Sequence, residues 1–278
     1  MKAIITGTGG FIGGNLMRKL VSEGNYVLPI EKDILSSPTW KFELEEQLNK
    51  DKPDVVFHVG AITNTLATDV NEMMLHNYDF TLGLALWCRA NDVPLIFSSS
   101  ASIYGSGVGK NLYAWSKYCA ESVLSELGAV SLRYFNVYGG GEEHKGAMAS
   151  MMYQGWLKHQ QGEEVLLFPM NPQRDFVYID DVVDANLYAF KNYPKFKGGA
   201  FDVGTCDAHT FEKVMELMGC KYRVLEKYYA VPKNYQFYTR AYKSRLMKGW
   251  EAKFSLEAGI IAYLQYLKNK PNDSTNNP

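Results

Sequence analysis

A short apolar segment followed by a glycine-rich turn opens the chain and restricts its fold more than any other feature. Lys2–Thr6 is typical of a buried strand, and Gly7, Gly10 and Gly13 follow at three-residue intervals. Apolar residues then recur at helical spacing as far as Val21. This order places backbone amides at a helix N-terminus, where they can bind a pyrophosphate. The spacing therefore predicts a dinucleotide site, and the alternative is a glycine-rich turn without a ligand.

The rest of the first half alternates apolar strands with helical patterns. Further strands are predicted at 26–30, 54–58, 94–98 and 130–133, with helices at 37–49, 69–90 and 112–127. This alternation predicts an α/β fold, a Rossmann-type doubly wound parallel sheet. We expect a dinucleotide-binding domain at 1–140, to which later segments can return. A smaller C-terminal α/β substrate-binding lobe follows at 141–269, and the polar residues 270–278 are expected to be disordered.

Charged residues stand at the end of the second predicted strand. Glu31 and Asp33 can accept hydrogen bonds from ribose hydroxyls, which disfavours a 2′-phosphate and slightly favours NAD over NADP. Lys32 lies between them and could accept that phosphate instead, so NADP is not excluded. The alternative is a pair of solvated loop charges. The predicted cofactor contacts around the two strand ends are Gly7, Gly10, Phe11, Ile12, Gly13, Glu31, Lys32, Asp33, Ile34, Ala61 and Asn77.

A serine-rich strand end is followed by a Tyr-x-x-x-Lys pair. The run from Ile96 ends in hydroxyl side chains that include Ser100, and Tyr113 and Lys117 lie one helical turn apart. An ammonium beside a phenol favours phenolate, so the pair can act as a general base. Tyr-x-x-x-Lys also arises by chance. The pair therefore needs support from the rest of the chain, beginning with the glycine turn that precedes it.

Composition excludes several classes of function. The formal net charge of −1 gives no overall attraction to nucleic acid or to an anionic membrane. No apolar run approaches the roughly 18 residues of a membrane span. The four cysteines are scattered, which is typical of reduced thiols in a cytoplasmic protein, and the five histidines have no close ligand spacing. We expect a cytoplasmic protein without a metal site.

Taken together, these residues resemble the extended short-chain dehydrogenase/reductase family, in particular its nucleotide-sugar epimerases. The resemblance extends to about Lys268. In the second half, His144-Lys-Gly-Ala-Met-Ala-Ser150 and Arg174-Asp-Phe-Val-Tyr178 are similar to the ADP-glycero-manno-heptose 6-epimerase branch of the family, as is the segment beginning at Tyr235. The resemblance implies tightly bound NAD(P)+, a nucleotide-diphosphate sugar as substrate and a homo-oligomer.

The resemblance also implies residue roles. Ser100 would orient the reacting oxygen, Tyr113 would exchange its proton, and Lys117 would hold the nicotinamide ribose and lower the pKa of the tyrosine. Lys145 would be a second acid/base on the opposite face of the sugar carbon. The implied reaction is epimerisation through transient oxidation to a ketone and re-reduction on its other face. Substrate contacts are predicted at Ser100, Asn136, His144, Ala147, Arg174 and Tyr235.

Two short segments depart from the family pattern. Gly105–Leu112 replaces a longer loop that covers the substrate, and the segment between the second and third strands is abbreviated. We expect the chain to differ most from its relatives at Gly105–Leu112. The alternatives are a UDP-hexose 4-epimerase or an NAD(P)H-dependent keto-sugar reductase, and more remotely a non-catalytic NAD(P)-binding sensor.

Overall fold

A six-stranded parallel sheet forms the centre of the molecule. The computed structural model describes residues 1–104, 111–226, 231 and 235–270. In sequence order the strands of this sheet are β1 (Lys2–Thr6), β2 (Tyr26–Ile30), β3 (Val55–His58), β4 (Leu95–Ser100), β5 (Val130–Tyr134) and β9 (Ala200–Val203). Their spatial order is β2-β1-β3-β4-β5-β9. The predicted parallel Rossmann-type sheet is confirmed, and β9 returns to it from the second half of the chain.

Helices cover both faces of this sheet. In chain order, the helices of the described residues are α1 (Phe11–Ser22), α2 (Trp40–Asp51), α3 (Val70–Met74), α4 (Phe80–Ala90), α5 (Leu112–Leu124), α6 (Met151–Gln160), α7 (Ile179–Lys191), α8 (Tyr193–Phe196), α9 (Phe211–Met218) and α10 (Leu256–Asn269). Of these, α6, α9 and α10 pack against the smaller sheets of the second half. Side chains of successive strand residues lie on opposite faces of the sheet. Ile5 belongs to the same hydrophobic cluster as Leu16 of α1, whereas Ile4 belongs to the cluster that contains Leu84 of α4. This alternation is the doubly wound arrangement that the sequence predicts.

The sheet ends at β2. The Tyr26 amide donates to the Met1 carbonyl at 3.0 Å. The backbone N–H and C=O groups of Tyr26, and of every second residue after it in β2, therefore face β1. The backbone groups of Val27 and Pro29 therefore face away from the sheet, because the hydrogen-bonding direction of a strand alternates. Proline has no N–H, and on this outer side it blocks the addition of another strand. β2 is therefore an edge strand of this sheet.

Smaller sheets build the second half. β8 (Gln173–Tyr178) pairs in parallel with β6 (Asn136–Tyr138) and antiparallel with β10 (Ala208–Thr210), and β7 (Val165–Leu167) pairs in parallel with β11 (Tyr222–Val224). The sequence predicts β8 but misses the other four, because three residues show no readable alternation. The division at residue 140 remains a prediction.

The predicted helix at 69–90 is helical from Val70 to Ala90 but contains one wider turn. A π-helical turn, Leu75–Asp79, separates α3 from α4. Such turns are frequent at functional sites, and this one contains Asn77. None of the helices in the described parts of the chain is long and apolar enough to cross a membrane. Two predicted features, the altered loop Gly105–Leu112 and the polar tail 270–278, lie outside the described residues except for 111, 112 and 270.

Candidate active site

Close backbone contacts explain the glycine turn. Gly7 follows β1 with a φ of +71°, and a Cβ there would lie 2.7 Å from the Cα of Gly60, which follows β3. A Cβ on Gly13 would lie 2.2 Å from the carbonyl oxygen of Gly7. Both distances are impossible for a real side chain, so glycine is required for β1, β3 and α1 to approach one another. The cleft forms where the chain order of the sheet reverses, the usual ligand position in such folds.

A cavity of about 460 Å³ occupies this cleft. Gly10 is the N-cap of α1 and provides no side-chain cap, so the first helical amides are available to an anion. The residues present fit a dinucleotide: a glycine cradle for phosphates, apolar walls and polar groups at both strand ends. Of the predicted contacts, the lining includes Gly7, Gly10, Phe11, Ile12, Gly13, Glu31, Lys32 and Ala61, together with His144 and Lys145.

Glu31 binds the glycine turn itself. Its Oε1 accepts hydrogen bonds from the Thr8 amide at 2.7 Å, the Thr8 hydroxyl at 2.6 Å and the Gly9 amide at 3.2 Å. The carboxylate thus helps to shape the turn as well as lining the cavity. Asp33 is exposed and Ile34 packs against the core, and neither lines the cavity. The structure therefore brings only two of the four predicted residues of this segment, Glu31 and Lys32, to the cleft.

Asn77 lies beside the cleft rather than in its lining. It is 1% exposed, and its amide group pairs with both backbone groups of Ile62 at 2.8 and 2.9 Å. It also donates to the Ser116 hydroxyl at 2.9 Å. Asn77 therefore joins the loop after β3 to the helix that carries Tyr113. This geometry supports an indirect role, that of positioning cavity-lining residues.

A buried histidine continues this network. His58 Nδ1 lies 2.7 Å from the Thr6 hydroxyl, and its Nε2 lies 2.7 Å from the Thr81 hydroxyl. The Thr81 hydroxyl donates to the Asn77 carbonyl at 2.9 Å. Burial, reinforced by the charge of Lys117, lowers the pKa of His58 to about 3, so the ring is neutral. The sequence alone does not identify these partners, which lie 23 and 52 positions away in the chain.

The Ser-Tyr-Lys group assembles from β4 and α5. Ser100 ends β4, and Asn111 caps α5 by accepting from the Ala114 amide at 2.8 Å. Lys117 is 2% exposed, and its Nζ donates to the Ser98 carbonyl at 2.8 Å. Burial lowers the pKa of Lys117 to about 7. The side chain can therefore gain or lose a proton near neutrality.

Tyr113 differs from the expectation of a lowered pKa. Burial raises the pKa of its phenol, and a hydrogen bond with Ser100 opposes this effect. Lys117 is instead directed to Ser98, with its Nζ 4.7 Å from the centre of the Phe97 ring. In this structure burial therefore outweighs any stabilisation of the phenolate by the lysine.

Lys145 approaches the cleft from the second half of the chain. It belongs to a 3-10 segment, Glu143–Met148, and its Nζ lies 5.4 Å from the centre of the Phe11 ring at the start of α1. Burial lowers the pKa of Lys145, and the charge of Glu142 acts in the opposite direction. An ionisable side chain with a shifted pKa thus lines the dinucleotide cavity.

The segment that carries Lys145 is held by Glu142, which sequence reasoning missed. This carboxylate is fully buried, and its Oε1 accepts from the Gly139 amide at 3.2 Å, the Ser150 hydroxyl at 2.7 Å and the Tyr263 hydroxyl at 2.9 Å. Oε2 accepts from the Ser150 amide at 2.5 Å. One side chain thereby joins both ends of the Lys145 segment to α10. An isolated glutamate gives no sequence signal for contacts so distant along the chain.

The predicted substrate contacts are less closely assembled. Arg174 is 8% exposed, and its guanidinium carbon lies 5.0 Å from the centre of the Tyr235 ring. One of its nitrogens donates to the Gln173 carbonyl at 2.8 Å, and burial lowers its pKa. Asn136, His144 and Ala147 are exposed. The structure thus pairs Arg174 with Tyr235 and leaves the other three open to solvent.

A family model and curated proteins match the chain. The model is described as the NAD dependent epimerase/dehydratase family and matches residues 3–204. ADP-L-glycero-D-manno-heptose-6-epimerase of Brachyspira hyodysenteriae is 32% identical, with 95% of the chain and 97% of that protein covered. The protein of the same name from Cupriavidus pinatubonensis is 31% identical, with 96% and 98% covered.

Solved structures agree with these matches. The ADP-L-glycero-D-manno-heptose-6-epimerase of Helicobacter pylori has a TM-score of 0.84 and 26% identity, covering 97% of this chain and 96% of that one. The UDP-glucose 4-epimerase of Thermus thermophilus, in complex with NAD, has a TM-score of 0.79 at 24% identity, covering 98% and 100%, which is a likeness of fold alone. The cleft, its glycine turn and the matches over nearly the whole chain show that the chain belongs to the NAD-dependent epimerase/dehydratase family.

Proposed function

We propose that this protein inverts one carbinol centre of a nucleotide-diphosphate sugar, as an ADP-L-glycero-D-manno-heptose 6-epimerase. The observation that carries the proposal is the pair of proton-transfer candidates from separate elements: Tyr113 on α5, and Lys145 in the lining of the dinucleotide cavity. Epimerisation needs such a pair, because the reacting oxygen meets a different partner after the ketone turns over. The two curated heptose epimerases support this choice of substrate.

The cleft would hold NAD(P)+. Gly7, Gly10 and Gly13 would surround the pyrophosphate, with the amides of Phe11 and Ile12 directed to it. Glu31 would face the adenosine ribose, which favours NAD, although its contacts with Thr8 and Gly9 must partly rearrange for this. When bound, the cofactor supplies a reversible acceptor for the hydrogen of the carbinol carbon. Comparing the Kd values of NAD+ and NADP+ by calorimetry checks this preference, and tighter NADP+ binding contradicts it.

Tyr113 would remove and return the hydroxyl proton on one face of the sugar. Its hydrogen bond with Ser100 partly offsets the burial that raises the phenol pKa. Ser100 would orient the reacting oxygen through its position at the end of β4. Lys117 would hold the nicotinamide ribose. Its pKa of about 7 allows it to change charge when a ligand approaches.

Lys145 would serve the other face of the sugar carbon. Glu142 holds its segment and keeps the lysine pKa from falling further, so the side chain remains able to donate a proton. Arg174 and Tyr235 would bind the diphosphate and its nucleoside, since a guanidinium can contact two phosphate oxygens at once. Asn136, His144 and Ala147 would complete the contacts with the sugar.

The test is turnover of ADP-D-glycero-D-manno-heptose by the purified protein without added cofactor, followed by NMR of the product. We expect inversion at C6 in the wild type and loss of at least about a thousandfold in Tyr113→Phe. Lys145→Met should impair inversion while hydrogen transfer to the bound cofactor, seen as absorbance at 340 nm, partly survives. Unchanged inversion in either variant would contradict the corresponding role.

Two related reactions are distinguished in the same assay. A keto-sugar reductase would consume NAD(P)H in proportion to product, whereas the epimerase leaves its amount unchanged. A UDP-hexose 4-epimerase would act on UDP-glucose, as the name of a Thermotoga maritima structure with 25% identity and a TM-score of 0.78 suggests for that protein. Turnover of UDP-glucose with none of the ADP-heptose would overturn the proposed substrate.

A further inference from the structure

Three helices enclose the turn Gly139–Gly141, which leads into the segment that carries Lys145. A Cβ on any residue of this turn would lie within 3.1 Å of a side chain on one of these helices, namely Ile179 of α7, Tyr266 of α10 or Asn15 of α1. A side chain in the turn would therefore push the helices away, and only glycine allows so close an approach. The start of the Lys145 segment is thus fixed by packing against three separate elements.

Asn15 forms the hydrogen bond that joins this turn to α1. Its side-chain amide donates to the Gly140 carbonyl at 2.9 Å, across 125 positions of the chain. The same nitrogen donates to the Phe11 carbonyl, also at 2.9 Å, one helical turn earlier in α1. Both N–H groups of the amide are therefore used, one inside the helix and one between the two halves of the chain.

Phe11 provides a second contact between α1 and the Lys145 segment. The phenylalanine is 6% exposed and lines the dinucleotide cavity together with Lys145. The Lys145 Nζ lies 5.4 Å from the centre of the Phe11 ring, a distance at which an ammonium is attracted to an aromatic face. α1 thus contacts the start of the segment through Gly140 and the lysine itself through Phe11.

The middle of the segment is open. Ala147 and Met148 are exposed, and a Cβ on Gly146 would meet no described atom within 4 Å. Because few contacts hold this part of the segment, the position of the lysine depends on how the ends are attached. Glu142 attaches them to α10, and Asn15 attaches the start to α1.

We propose that Asn15 is a positioning residue that holds Lys145 in place at the dinucleotide cavity. It connects the helix whose N-terminus would receive the pyrophosphate of the cofactor with the segment that carries the second acid/base. The inference rests on the role proposed for Lys145 in inversion of the sugar carbon. Loss of the Asn15 side chain should therefore reproduce the defect of Lys145→Met, although Asn15 belongs to the helix of the cofactor site.

The first experiment compares Asn15→Ala with the wild type in turnover of ADP-D-glycero-D-manno-heptose. We expect inversion to slow by at least about tenfold, because misplacing a reacting group by about 1 Å can cost about a hundredfold. Hydrogen transfer to the bound cofactor and the Kd of NAD+ should each change by less than about twofold. Unchanged inversion, or a fall in NAD+ affinity parallel to that in inversion, would overturn the proposal.

Two further variants separate the bond to Gly140 from the bond inside α1. Asn15→Ser keeps a hydroxyl that can donate to the carbonyl four residues earlier but is too short for Gly140, so it should share the defect. Asn192→Ala removes the corresponding bond at the end of α7, from the Asn192 amide to the Tyr188 carbonyl at 3.0 Å, and should invert as the wild type does. Wild-type inversion in Asn15→Ser would overturn the proposal. Thermal unfolding checks that each variant is folded.

Cleavage by trypsin after Lys145 tests the attachment without any turnover. Proteolysis follows the population in which a segment is loosened, so losing one hydrogen bond should speed this cleavage by about fivefold in NAD+-saturated Asn15→Ala. Asn192→Ala should be cut at the wild-type rate, and mass spectrometry of the fragments measures each rate. Cleavage of Asn15→Ala at the wild-type rate would overturn the proposal. Faster cleavage in a protein that does not turn over the heptose would support the attachment and contradict the proposed reaction alone.

Discussion

Lys117 shows how burial sets the chemistry of a single residue. Its ammonium is enclosed by β4, and burial lowers its pKa from 10.5 to about 7. Between these values the unfolded chain binds one proton more than the folded chain. The contribution of Lys117 to stability therefore rises with pH from about 7 to about 10 and is lowest below pH 7.

Lys117→Met should remove this pH dependence. We expect the free energy of unfolding of the variant, relative to that of the wild type, to be highest below pH 7. This difference should decline as pH rises, by about 1.4 kcal/mol for each unit of pKa shift. Loss of the hydrogen bond to Ser98 adds an offset that does not depend on pH. Urea unfolding of both proteins from pH 6 to 10 measures the difference, and parallel curves would contradict the assignment.

The glycine turn behaves as one element, since β1, β3 and α1 meet there. Gly13→Ala forces a Cβ against the Gly7 carbonyl, where only 2.2 Å is available. We expect α1 to shift and NAD+ affinity to fall by about a hundredfold or more. Gly9→Ala is the matched control, because a Cβ there meets nothing within 4 Å. Equal NAD+ affinities in the two variants, measured by calorimetry, would rule out this packing argument.

The Lys145 segment depends on Glu142 in both position and charge. Glu142→Gln places an amide group among four hydrogen-bond donors and should cost about 1–3 kcal/mol in stability. It also removes the charge that raises the pKa of Lys145, so the limb of the pH–rate profile due to that lysine should move to lower pH. Glu143→Gln makes the same charge change in the same segment and should leave the limb in place. An unmoved limb in Glu142→Gln would argue against the coupling.

Two neighbouring helices expose large apolar side chains, which bears on whether the whole molecule associates with a second copy. Leu86 of α4 is 52% exposed, and Trp115 and Tyr118 of α5 are 39% and 49% exposed. Neighbouring exposed apolar groups on adjacent helices favour burial against a second copy. We expect a homo-oligomer in light scattering, and a shift towards monomer in Leu86→Lys/Tyr118→Lys. A monomeric wild type at micromolar concentration would contradict this.

The sequence predicts those features that depend on a repeating pattern or on residues close together in the chain. The strand periodicity predicts the parallel sheet, and the spacing of Gly7, Gly10 and Gly13 predicts the cleft. It could not find the partners of His58 or Glu142, since hydrogen bonds such as that from Tyr263 join residues more than a hundred positions apart. Nor could it place Asp33 outside the cleft, because a 3-10 turn after β2 sets the direction of each side chain.

In the proposed reaction, one carbon is oxidised and re-reduced by a cofactor that stays bound. It is tested most directly with ADP-D-glycero-D-manno-heptose deuterated at C6, incubated with the protein in ordinary water. We expect inversion at C6 with the deuterium retained, because the same hydrogen is removed and returned. Inversion with loss of deuterium to solvent would show that this hydrogen is exchanged as a proton by an acid or base, and would contradict the proposed reaction.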